Sequence, residues 1–178
     1  MKIVCIMGRR NSGKSSVKKA LEAVGFKKLN TYTTKGETPE EIEELGRHGY
    51  IHINRELFKA HVERGHIIET ETYDNELYGI AIPFGARKYV TTVSPDGLEK
   101  LREVYGKQVI GIYLSCDDQT AQSRDNQTNR LAKSTYLDDP DTLNKMQEVS
   151  DATIDSTQDF QKVKLDILKL VRDYKPEN

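Results

Sequence analysis

The 178-residue chain is 31% charged with a formal net charge of −1, which suits one domain with an insert and a sizeable buried core. So even a balance creates no global field toward nucleic acid or an anionic membrane. The two cysteines, Cys5 and Cys116, lie far apart inside apolar runs; they give no disulfide framework and no metal-ligand spacing, and fit a reducing, cytoplasmic setting.

The opening run KIVCIM is too short for a signal peptide or a membrane span and reads as a buried strand. A glycine loop follows, then Val17, Leu21 and Val24 at helical spacing, closed by Gly25. KKLNTYTT reads as a second strand, and the acidic stretch 36–49 as an exposed segment in which Glu40, Glu41, Glu43 and Glu44 form a solvated face. YIHI is another strand, with Phe58 and Val62 marking the helix after it. HIIETETY and ELYGIAI form a hairpin turning at Asp74-Asn75. YVTTV, a helix over Pro95–Tyr105, and QVIGIYL are further strand–helix units. Residues 117–150 are polar and weakly periodic; ATI is a last edge strand, and Phe160, Val163, Ile167, Leu170 and Val171 line a closing amphipathic helix. Alternating strands and helices predict an α/β architecture, a mostly parallel sheet flanked by helices.

Gly8-Arg9-Arg10-Asn11-Ser12-Gly13-Lys14-Ser15 matches G-x-x-x-x-G-K-[ST], between an apolar strand and an amphipathic helix. The glycines let the backbone curl so that successive N–H groups face phosphate oxygens, and the helix start adds its positive dipole end. Gly8, Asn11, Ser12, Gly13, Lys14, Ser15 and Ser16 are the candidate ATP-binding residues. Lys14 would reach the terminal phosphates and the Ser15 hydroxyl would hold Mg²⁺. Arg9 and Arg10, unusual additions to such a loop, read either as phosphate contacts or as exposed loop-tip residues, with exposure the preferred reading. His48, His52, His61 and His66 lack the spacing of a metal site.

The later motifs TYTTKGETPEEIEE, GYIHI and IIETETYDNELYG, in that order after the loop, resemble the guanylate kinase family. The resemblance runs to about Asp125 and implies a P-loop kinase with a core over 1–30 and 90–178. It also implies a small β-rich monophosphate-binding insert over about 31–89 and a lid over about 117–145. It makes Tyr50 and Tyr78 phosphate-gripping tyrosines, Glu69 the base-reading carboxylate, and Thr34 and Lys35 part of the acceptor approach. Guanine offers two N–H groups that suit such a carboxylate. Arg124 and Arg130, with Lys133 behind them, are the lid cations that would stabilise the transferring phosphoryl group.

The chain also departs from the family's pattern. Lys35 stands where a clamp arginine is usual and keeps charge without the bidentate fork. Thr38 replaces the second arginine, with Arg47 as a possible substitute. Ile80 stands where a hydroxyl would bond the base, and Thr92 and Ser94 where two carboxylates would serve the metal region and the base, Asp96 being the nearest acid. Such a site should discriminate bases weakly. LYGIAI and SPDG are also similar to the ribose 1,5-bisphosphate phosphokinases. The expected activity is ATP-dependent phosphorylation of a nucleoside or deoxynucleoside monophosphate. A sugar-phosphate kinase and a non-catalytic guanylate-kinase-like binding module are the alternatives, and a kinase of nucleic-acid hydroxyls finds no support in the net charge.

Overall fold

The computed structural model describes residues 1–36, 50–81, 85, 87–128 and 138–175. Thr38, Glu40, Glu41, Glu43, Glu44, Arg47, His48, Arg130 and Lys133 lie outside the described residues. In chain order the elements are β1 (Lys2–Gly8), α1 (Lys14–Glu22), β2 (Lys27–Lys28), β3 (Thr31–Thr33), β4 (Tyr50–His52), α2 (Arg55–Glu63), β5 (Ile67–Tyr73), β6 (Glu76–Ala81) and β7 (Lys88–Thr92). They continue with α3 (Pro95–Tyr105), β8 (Val109–Ser115), α4 (Asp118–Thr128), α5 (Pro140–Glu148), β9 (Ala152–Asp155) and α6 (Phe160–Asp173). None of the described helices is long and apolar enough to cross a membrane. The contacts divide into two compact units, Met1–Lys28 with Arg87–Asn178, and Leu29–Ala86.

The first unit is built on a parallel sheet in the order β2-β7-β1-β8-β9. Alternation along the strands splits its core. Val4 and Ile6 of β1 and Ile110, Ile112 and Leu114 of β8 pack with Val17 and Leu21 of α1 and Val163, Ile167 and Val171 of α6. Ile3, Cys5 and Met7 point the other way and are fully buried, as are Leu98 and Leu101 of α3 and Met146 of α5. Each such side chain contributes roughly 1.5–3 kcal/mol on burial. The sheet therefore presents the carboxyl ends of β1, β8 and β9 together, the usual place for a ligand in an open α/β sheet.

Three expectations are corrected here. KKLNTYTT is two strands in two sheets: β2 pairs with β7, β3 pairs with β4 and β6, and the chain changes unit at Leu29. Phe160 begins α6 with 41% of its surface exposed and is no core residue, and Val24, 46% exposed, lies beyond the end of α1. The weakly periodic stretch holds two helices. The described part of α4 is polar, with only Ala121 buried, so apolar spacing had little to register.

The second unit is a mixed sheet in the order β4-β3-β6-β5. Its β5–β6 hairpin turns at Asp74 and Asn75, both at positive φ (52° and 63°), as a two-residue turn of the mirror-image type requires. Helix α2 is capped by the Asn54 side chain, which accepts from Leu57 N at 2.8 Å. Gly79 on β6 is where helix and sheet meet. A Cβ there would lie 2.9 Å from Phe58 Cζ and strike Ile67 Cγ2, so α2 docks only because residue 79 has no side chain.

Candidate phosphate cradle and acceptor face

In the first unit the loop between β1 and α1 has positive φ at Gly8 (147°), Asn11 (57°) and Gly13 (92°). These angles curl the backbone into a concavity. Gly8 admits no side chain: a Cβ would lie 2.7 Å from both Leu114 O and Ser12 Oγ. Helix α1 begins differently from its neighbours. Asn54, Ser94, Asp139 and Asp159 each cap a helix with a side-chain acceptor, whereas the cap of α1 is Gly13 and has none. Its first-turn N–H groups therefore have no capping side chain, and an anion placed there would satisfy them.

Lys14 Nζ donates to Gly8 O at 2.8 Å and Arg9 O at 2.6 Å, so its ammonium lies across the loop. Burial brings the Lys14 ammonium down to about 8, with Asp138 opposing that shift and Lys18 adding to it. Ser15 and Ser16 are exposed at the helix start, and Ser12 is fully buried beneath the loop. Asn11 Nδ2 donates to Ala121 O at 3.3 Å. Arg124 on α4 donates to Asn11 O at 3.2 Å and to Ser156 O at 2.6 Å, which ties the loop to the end of β9. The structure thus brings Lys14 and Arg124 to one loop. Arg9 and Arg10 are half-buried, which corrects the expectation of exposed loop-tip residues. Arg9 pairs with Asp118 and Asp138.

Ser94 and its neighbour Asp96 already have partners. Ser94 Oγ accepts Gly97 N at 3.1 Å as the cap of α3, and Asp96, in the first turn of that helix, accepts from Lys145 at 2.6 Å. Among the described residues no three His, Cys, Asp or Glu side chains gather as a metal site. The exposed Ser15 hydroxyl still fits Mg²⁺, which keeps several waters and takes much of its coordination from substrate phosphates.

In the second unit, strand register brings together Tyr50, Glu69 and Tyr78, three of the residues expected to bind an acceptor. Tyr50, Thr31, Ile80 and Glu69 stand opposite one another across four strands, and His52, Thr33, Tyr78 and Glu71 form the next row. Opposed residues share a face, so both rows lie on the same side of the sheet. The Tyr50 and Tyr78 rings meet edge to face with centroids 5.8 Å apart. Partial burial, Tyr78 and Glu71 hold the Tyr50 hydroxyl above the usual phenol range, and Lys35 pulls the other way. Glu69 arrives there through a β-bulge. Ile67 pairs with Ala81 and Glu69 with Ile80, so two residues of β5 advance against one of β6. Ile67 accordingly meets Gly79 and α2 while Glu69, 4% exposed, faces the tyrosines. Thr34 is engaged structurally: its hydroxyl donates to Glu76 and accepts Leu77 N at 2.8 Å. The exposed residue Lys35 lends its carbonyl to His52 Nδ1 at 2.7 Å.

Several residues here escaped the sequence reading. Glu71 and Thr33 follow Glu69 and Thr31 at strand spacing, a signal that could have found them. Asp118, Asp138 and Ser156 carry no local signal; only the tertiary fold brings them to the loop. His61 and His66 also come together, Nδ1 to Nδ1 at 3.3 Å, because the chain closes α2 with His66 N bonded to His61 O.

No family model matches the sequence, and no curated protein matches it. Among solved structures, the chain is similar to guanylate kinase from Anaplasma phagocytophilum at a TM-score of 0.69 and 18% identity, over 100% of this chain and 87% of that one. A gluconokinase from Sinorhizobium meliloti 1021 matches at a TM-score of 0.48 and 18% identity, over 96% and 91% of the two chains. With its glycine loop between β1 and α1 and its five-stranded parallel sheet, this α/β chain has the fold of a P-loop kinase, similar to that of guanylate kinase.

Proposed function

We propose that the protein transfers a phosphoryl group from ATP to a nucleoside or deoxynucleoside monophosphate. The observation that carries this reading is the start of α1, uncapped and curled, with Lys14 laid across it. Mg·ATP supplies the phosphoryl group and the metal charge that offsets its negative oxygens. The chain supplies the rest. Loop N–H groups and the first turn of α1 hold the donor's phosphates, Lys14 leaves its two carbonyls to meet the terminal ones, and Ser15 offers its hydroxyl to the ion. Arg124 and Arg130 are proposed to stabilise the moving charge. Arg124 fixes Asn11 as well, which makes it a residue that shapes the loop.

On the second unit, Lys35, Tyr50 and Tyr78 are proposed to grip the acceptor phosphate, Thr34 to shape its approach, and Glu69 to accept N–H groups of the base. A carboxylate suits such donors because each N–H bond to it is charge-assisted. Ile80, buried and in register with Glu69, favours a second reading in which the acceptor is a sugar phosphate. We assign the enzyme to the cytoplasm; neither Cys5 nor Cys116 forms a disulfide.

The test is release of ADP from Mg·ATP against ribo- and deoxynucleoside monophosphates and ribose 1,5-bisphosphate. Turnover on a nucleotide should fall at least a hundredfold in Lys14→Ala. In Glu69→Gln kcat/KM for that nucleotide should drop about tenfold or more, one lost charged hydrogen bond, with ATP binding unchanged. Turnover on the bisphosphate alone would replace the acceptor, and ATP binding without turnover on any acceptor would leave a binding module.

A further inference from the structure

Arg9 occupies a position that phosphate binding alone does not require. Its backbone belongs to the loop, since Arg9 O accepts Lys14 Nζ at 2.6 Å and Ser12 N at 3.3 Å. Its side chain is only 14% exposed and is held by two carboxylates from different elements. One is Asp118, in the first turn of α4; the other is Asp138, just ahead of α5, with Oδ1 3.4 Å from Arg9 Nε. Nη1 also donates to Cys116 O at 3.3 Å. Asp138 acts on Lys14 as well, favouring its charged form. One carboxylate therefore acts on both Arg9 and Lys14.

Arg9 Nη1 donates a close hydrogen bond to Asp118, yet both ion pairs leave room for a competing anion. Asp118 has a side chain 78% exposed, so water screens its pull. The Asp138 contact is longer than the 2.7–2.9 Å or so of a charge-assisted hydrogen bond. A polyphosphate at the start of α1 carries several negative charges on oxygens that match the guanidinium fork. Such a ligand competes with Asp118 and Asp138 for the one guanidinium.

We propose that Arg9 is a second phosphate-binding cation of this loop, stored on Asp138 and Asp118 when the loop is empty and transferred to the polyphosphate of an entering nucleoside triphosphate. This rests on the nucleotide-binding reading above and adds a residue to it. Asp138 stands in for phosphate and competes with it, so removing its charge and removing that of Arg9 should move affinity in opposite directions.

The experiment is calorimetric titration of the full chain with inorganic tripolyphosphate and with Mg·ATP, alongside thermal melting of each variant. Arg9→Gln should weaken both ligands about tenfold, Arg9→Lys less, and Asp138→Asn should tighten both about threefold. A purely structural clasp predicts something else: Arg9→Gln and Asp138→Asn both weaken binding and both lower the melting temperature. That result, or changes under twofold in a wild type that does bind, overturns the proposal and leaves the nucleotide reading standing. A wild type that binds neither ligand overturns both.

Discussion

The candidate phosphate cradle and the candidate acceptor face are built by different means from the same chain. The cradle is made chiefly of backbone: three positive-φ residues, an uncapped helix start, and one lysine resting on two carbonyls. The acceptor face is made of side chains, drawn from four strands and aligned by register. A backbone device depends on a few contiguous residues and survives wide change elsewhere. A side-chain face needs every strand in register, and substitutions such as Ile80 alter it one residue at a time.

That contrast can be broken most sharply at Gly79. A methyl group there meets Phe58 and Ile67, so Gly79→Ala should destabilise the second unit by about 1–3 kcal/mol. Acceptor binding should be lost while tripolyphosphate still binds. Denaturant unfolding followed by signals from each unit would show it, and equal loss of both ligands would refute the separation.

A smaller effect should appear with pH, and at the cradle. Lys14 titrates near 8 in the empty loop, and bound phosphate must raise that value by favouring the charged amine. Affinity for tripolyphosphate is then greatest below about pH 8 and falls as pH rises through it, by up to about tenfold per unit. Lys14→Arg should flatten the profile; a wild-type profile flat from pH 7 to 9.5 would count against the ammonium as the binding form.

The smallest effect expected is at Ser94, whose hydroxyl caps α3. Ser94→Ala should cost about 1 kcal/mol of stability and leave tripolyphosphate affinity unchanged. A loss of Mg·ATP affinity in that variant would return Ser94 to the metal region.

Much of the fold was legible because its causes are local. β1, β8 and α6 declare themselves by apolar runs or apolar spacing, and the Asp74-Asn75 turn by residues that tolerate positive φ. The KKLNTYTT stretch misled because nothing local marks the change of sheet at Leu29. α4 stayed hidden because a polar helix carries little periodic signal. Ser94 reads differently because it caps its own helix at Gly97, three residues on, whereas the partners of Asp96 and Arg9, Lys145 and Asp138, lie far away in the chain.

By itself, then, the sequence determined the strand–loop–helix unit proposed to cradle phosphate, since Gly8, Gly13, Lys14 and Ser15 are contiguous, and it determined which residue types line the face proposed for an acceptor. Only the tertiary structure decided that a bulge at Ile67–Glu69 turns Glu69 toward Tyr50 and Tyr78, and that Arg9 rests between Asp118 and Asp138. The first depends on the register within the β5–β6 hairpin and the second on a pairing between distant segments, and residue spacing encodes neither.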